Sequence, residues 1–119
     1  MSIRTFKDLI IWQKSIELCK EIYSLVKLLP KEETYCLSDQ MRRSAVSISS
    51  NIAEGQARSS KNEFLQFISI ASGSNSELYT HLIICKEIGY LDETQIEKSL
   101  TLIEEISKML STLKNKLNN

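Results

Sequence analysis

The single histidine of the chain, His81, stands one helical turn after Glu77. Side chains four apart share a helix face and can share a ligand, but a bound zinc needs at least three protein donors. The spacing also differs from the Glu-x-x-His repeat with which helical bundles hold paired iron. Serines are dense between Ser44 and Ser76, yet none sits in a Gly-x-Ser-x-Gly turn. One histidine would have to serve any triad. No glycine-rich loop is present to cradle a phosphate. The residue types therefore predict a protein that is not an enzyme, uses no metal or cofactor and takes no small-molecule substrate.

Cations are the other groups with chemistry to offer. Arg42, Arg43, Arg58 and Lys61 outweigh Glu54 in one stretch, and Lys108, Lys114 and Lys116 follow the last acidic residue, Glu105. Both clusters are candidates for nucleic-acid contact. The tail lysines equally suit a helix C-terminus, where the backbone dipole favours positive charge. Glu54 and Arg58 stand four apart and can simply pair on a helix surface. Across the chain 15 Lys and Arg balance 15 Asp and Glu. Bulk phosphate binding needs a visibly basic protein. Contact with nucleic acid would therefore require an oligomer that repeats a weak patch many times.

The elements that position these residues follow from composition and periodicity. The chain has 119 residues, 42% hydrophobic and 25% charged, with one proline and three glycines. That describes one soluble domain of long helices. Three cysteines without metal-ligand spacing, no signal-like N-terminus and no apolar run of membrane length predict a reduced, cytoplasmic setting with no membrane partner. Helical spacing marks four segments. The first, roughly 6–29, turns Leu9, Trp12, Ile16, Cys19, Tyr23 and Val26 inward and stops at Pro30. The second, 38–58, takes Ser38 as its N-cap and buries Met41, Ala45, Ile48, Ile52 and Gly55. The third, 60–88, opens on a Ser60–Glu63 capping box, carries the seam Phe64, Ile68, Ala71, Leu78, Leu82 and Cys85, and ends at Gly89. The fourth, 92–117, opens on an Asp92–Gln95 box and buries Ile96, Leu100, Ile103 and Leu110, flanked by Leu102, Ile106, Met109 and Leu113. Short links predict an all-α, antiparallel up-down-up-down four-helix bundle.

Some helices are apolar on more than one side. Ile70, Ile84 and Ile88 flank the third seam on one side, and Leu65 and Ile83 on the other. Val46, Ala53 and Ala57 sit opposite the inner stripe of the second helix. Scattered surface aliphatics would explain this blandly; a self-association surface built on Val46, Ala53, Ala57, Ile70 and Ile84 explains it more sharply. Folding the second and third helices back about Ser59 sets Ser47 level with Ser72 and Ala45 level with Ser74. Gly73 would then allow close backbone approach. Glu77 would face Arg42 and Arg43, predicting a cross-helix ion pair, most directly with Arg43.

The run Leu37-Ser38-Asp39-Gln40-Met41-Arg42-Arg43-Ser44-Ala45-Val46-Ser47-Ile48-Ser49-Ser50-Asn51-Ile52-Ala53-Glu54-Gly55 is distinctive. With Phe6 to Gln13, Leu29-Pro30, Glu33, Tyr35, Phe64, Ala71, Gly73-Ser74 and Glu77-Leu78, it resembles a bacterial protein family over nearly the whole chain. That family is the four-helix-bundle proteins of the intervening sequences in 23S ribosomal RNA genes (S23-like), related to accessory proteins of diversity-generating retroelements. Cys36, Ser44 and Ser49 depart from its usual glycine, alanine and proline. The resemblance implies a bundle whose relatives form ring-shaped homopentamers, and no catalytic residues. Its characteristic Gln40, Asn51, Glu54 and Glu77 read as packing and hydrogen-bonding positions, which with Arg43, the expected partner of Glu77, make a structural polar network. Two functions stay open. One is a homo-oligomeric binding module for RNA or an RNA-associated protein. The other is a protein–protein adaptor or structural oligomer with no nucleic-acid role.

Overall fold

The computed structural model describes residues 6–118, apart from the Asp8 side chain. Four long helices account for most of it: α1 (Ile10–Val26), α2 (Leu37–Ala57), α3 (Lys61–Glu87) and α4 (Glu93–Asn118). Short 3-10 turns, Phe6–Asp8 and Lys31–Glu33, precede α1 and α2.

Each helix end has a local cause, and three ends differ from expectation. α1 is shorter than 6–29 because Leu9 is extended and the helix closes at Val26, before Pro30 acts. Leu28 and Leu29 only continue it as turns, donating to the Leu25 and Val26 carbonyls. α2 begins at Leu37, and Ser38 lies buried inside its first turn rather than capping it. The cap comes from outside the helix. Glu33 Oε1 accepts from the Leu37 amide at 3.4 Å and so satisfies a donor that the first turn leaves open. At α3, Ser60 Oγ accepts from the Glu63 amide at 3.1 Å. The Glu63 carboxylate turns to Arg58, 3.7 Å away. The Asp92–Gln95 box at α4 is reciprocal, with both bonds at 2.8 Å. Gly89 closes α3 at φ +87, a backbone region that a Cβ disfavours.

Cross-helix pairs run in opposite senses along α2 and α3, and likewise along α1 and α4. Met41 meets Cys85 near the start of α2, Ser47 meets Ser74 in the middle, and Gly55 meets Phe64 at the end. Lys14 reaches Glu105, and Lys98 reaches Glu17 and Glu21, closing α1 on α4. The core takes Met41, Ile48 and Ile52 from α2, and Ile68, Leu78 and Leu82 from α3. α4 adds Ile96, Ile106 and Leu110, and α1 adds Leu18 and Ile22; each is about fully buried.

On α1 the inner face is Ile11, Ser15, Leu18, Ile22 and Leu25, not the stripe through Trp12, Ile16, Cys19 and Tyr23. This helix has two adjacent apolar stripes, so spacing alone favours neither. Ser15 is tolerated inside because its hydroxyl donates to the Trp12 carbonyl at 2.6 Å. Choosing the inner stripe leaves Ile16 and Tyr23 outside, 36% and 44% exposed.

Gly73 is not the close approach. It is exposed, and a Cβ built there meets nothing within 4 Å. The tight point is Gly55, where a Cβ would lie 2.8 Å from Phe64 Cδ1 and 3.0 Å from Phe67 Cβ. The two glycines should therefore respond oppositely to substitution. Gly73→Ala should stabilise by about 1 kcal/mol through helix propensity, and Gly55→Val should destabilise by about 1–3 kcal/mol through overpacking. Urea denaturation of the two variants checks both signs.

Candidate functional site

Glu77 and His81 do share one face of α3, and Ser44 joins them from α2. The Ser44 hydroxyl donates to Glu77 Oε1, so the partner of Glu77 is a serine and not Arg43. The reason is local: Ser47 meets Ser74 rather than Ser72, which brings Ser44 level with Glu77, while Arg43 turns outward to Asp39. The arrangement does not pose a nucleophile. Ser44 is 2% exposed and tied to a carboxylate, with no hydrogen bond to the histidine. His81 is 6% exposed, and its Nδ1 has no hydrogen-bond partner. Burial lowers the His81 pKa below its usual 6.5, and the Glu77 charge opposes this more weakly. Among the described residues, no three His, Cys, Asp or Glu side chains gather to hold a metal ion. Burial pushes the Cys85 thiol up to about 11 and raises Cys19 in the same direction, so both stay protonated near neutral pH.

The basic cluster separates into two places. Arg42 and Arg58 lie roughly 24 Å apart along α2 at 1.5 Å per residue, so the four cations do not make one patch. Near the start of the helix, Arg43 Nε donates to Asp39 Oδ2 at 3.0 Å. Arg42 donates to the Thr34 carbonyl at 3.2 Å and lies 4.0 Å from the same aspartate. Near the end, Arg58 pairs with Glu54 at 3.0 Å and stacks 5.0 Å above the Phe67 ring. Lys61 is exposed, and so is most of Arg43 (79% of the side chain).

The expected polar network resolves into separate local ties. Asn51 donates to the carbonyl and hydroxyl of Ser47, which also accepts from Ser74 at 2.8 Å. Glu54 serves Arg58, Arg43 serves Asp39, Glu77 serves Ser44, and Gln40 is exposed. Of these ties, Ser47–Ser74 and Ser44–Glu77 cross between helices. The serines carry this role, and nothing in their spacing alone distinguishes them from surface serines.

Apolar surface is the more conspicuous feature. Between α1 and α2 runs a groove of about 370 Å3, lined by Phe6, Trp12, Ile16, Cys19, Val46 and Ala53. Phe6 packs edge-on to Trp12, with ring centroids 5.2 Å apart. Ser49 also lines the groove, and its buried hydroxyl has no partner. Val46 is 42% exposed, Ala53 is half-buried, and Ala57 is exposed at the end of α2. On α3, Ile70 and Ile84 are 50% and 41% exposed. A second groove, of about 400 Å3, runs between the start of α1 and the end of α4. Periodicity missed it because it is formed by two chain ends distant in sequence.

Together these features define an all-helical bundle whose notable surface is apolar grooves and helix flanks. The chain belongs to the 23S rRNA-intervening sequence protein family, whose family model matches residues 7–112. It is also similar to a crystal structure from Bacteroides thetaiotaomicron VPI-5482, described as a protein with unknown function from the S23 ribosomal protein family. The identity is 28% and the TM-score 0.82, covering 88% of this chain and 98% of that one. No curated protein matches the chain.

His81 makes stability pH-dependent. The fold favours the neutral ring, so the unfolded chain binds the extra proton first and stability falls as pH drops through about 6.5. Below about pH 6.5 the wild-type chain should lose up to about 1.4 kcal/mol per pH unit from this one proton, until the folded-state ring also protonates. His81→Gln should flatten that slope, measured by urea titrations across the range.

Proposed function

We propose that the protein is a non-enzymatic module that assembles with copies of itself and presents the assembly to RNA or an RNA-associated protein. The observation that carries the assembly is the presence of partly exposed aliphatic and aromatic groups on two different faces. One is the α1–α2 groove with Val46 and Ala53; the other is the α3 flank with Ile70 and Ile84. Contact between unlike faces is heterologous and closes into a ring when the rotation allows. A pentamer is the ring that the family resemblance implies. Three free cysteines and the absence, among the described residues, of a helix able to cross a membrane are compatible with a cytoplasmic setting.

The RNA reading rests on the family's description and on Arg43 and Lys61, the most available cations of the cluster. A ring would repeat them, and weak phosphate contacts would then add. The adaptor reading is favoured by a specific observation. Arg42, Arg43 and Arg58 already face carboxylates, so a phosphate would have to compete with Asp39, Glu54 and Glu63.

Two measurements test this reading. Val46→Glu and Ile70→Glu should each shift the eluting species toward the protomer while leaving helical content unchanged by circular dichroism. If neither does, these faces are not the assembly surface. Binding of ribosomal RNA fragments should weaken with salt. Arg43→Ala with Lys61→Ala should flatten the log–log slope by about one for each phosphate that the variant no longer neutralises. No retention of RNA at low salt leaves the adaptor reading in its place.

A further inference from the structure

We propose that the groove between the start of α1 and the end of α4 is a docking site for an acidic amphipathic helix supplied by another protein. Leu9, Met109 and Leu113 are half-buried along it, and Ile10 stands at its lip, 62% exposed. Lys108 and Lys116 line the same groove, both exposed, about 12 Å apart along α4.

Charge decides the occupant. Elsewhere on the α1–α4 face the lysines are already served: Lys14 by Glu105, and Lys98 by Glu17 and Glu21. Among the described residues, no carboxylate lies within ion-pair distance of Lys108 or Lys116. The helix dipole accounts for Lys116, in the last turn of α4. It does not account for Lys108, two turns further in, since that effect fades within a turn. An apolar trough edged by two unserved cations matches a helix with aliphatic anchors at i, i+3, i+4 and i+7 and carboxylates flanking them. The site is a shallow, open groove with a volume near 400 Å3. It lies apart from the α1–α2 groove and the α3 flank, so it stands whether or not those faces assemble.

The probe is a synthetic 18-residue helical peptide with leucines at those four spacings and glutamates beside them, followed by fluorescence anisotropy on the full chain. A control peptide carries lysines in place of the glutamates. The acidic peptide should bind and the basic one should not. Lys108→Glu with Lys116→Glu should weaken the acidic peptide at least about tenfold and admit the basic one. Ile10→Ser, at an exposed position, should weaken the acidic peptide without lowering thermal stability. Equal binding of both peptides, or indifference to the charge reversal, overturns the proposal. So does a wild-type chain that captures phosphatidylserine vesicles but not the acidic peptide, which assigns the patch to lipid. A change of oligomeric mass on charge reversal also overturns it, because the occupant is then a second copy.

Discussion

The approach of α2 to α3 is the constraint on which the rest of the molecule depends. At Gly55 the α2 backbone lies against Phe64 and Phe67 so closely that a Cβ would sit within about 3 Å of both. Ala45 and Ala71 keep the interface narrow, both fully buried. Register along this pair is then set by two polar ties, Ser47 with Ser74 and Ser44 with Glu77. The Ser44 tie has few alternatives, because its buried hydroxyl moved out of register would lose its partner and keep its desolvation cost. At the far end, Met41 Sδ and Cys85 Sγ meet at 3.7 Å, a contact between soft, adaptable groups that fills space and dictates little.

The bundle is closed at one end by a polar staple. Glu33 accepts from the Tyr90 hydroxyl at 2.8 Å and from the Leu37 amide. One carboxylate thus ties the link before α2 to the link before α4. The Tyr90 pKa is raised, chiefly by this bond and then by burial. With α2 and α3 locked and the links tied, α1 and α4 each offer one stripe to the core. Their remaining apolar groups are left outside. The grooves beside Trp12 and beside Met109 therefore follow from how the core is filled.

Most of the fold was legible in the sequence, because capping boxes, Gly89 and the small-large patterning of α2 and α3 are local signals with one dominant reading. The all-α architecture and the α2 and α3 core stripes come from these. The failures are also physical. α1 carries two neighbouring apolar stripes, and which one faces inward depends on α2 and α4, not on α1 itself. Ser38 resembles a cap, but Glu33 reaches the helix end first. Gly73 and Gly55 are equivalent in sequence, and only the position of Phe64 separates them. The Arg43–Glu77 pair failed because the neighbouring Ser44 faces Glu77 while Arg43 turns outward to Asp39. At the candidate surfaces, the sequence marked Val46, Ile70 and Ile84. It did not show Trp12 and Ile16 as the facing wall, nor that the basic residues are divided between two ends of a helix and shared with carboxylates.

The proposed assembly depends on Val46, Ile70 and Ile84 being covered by neighbouring copies. Sedimentation equilibrium of the unmodified chain over a hundredfold range of concentration tests it most directly. The expected mass is a fixed multiple of 13.6 kDa. A chain that stays at the protomer mass at the highest concentration, with Val46, Ile70 and Ile84 still open to solvent, would contradict it.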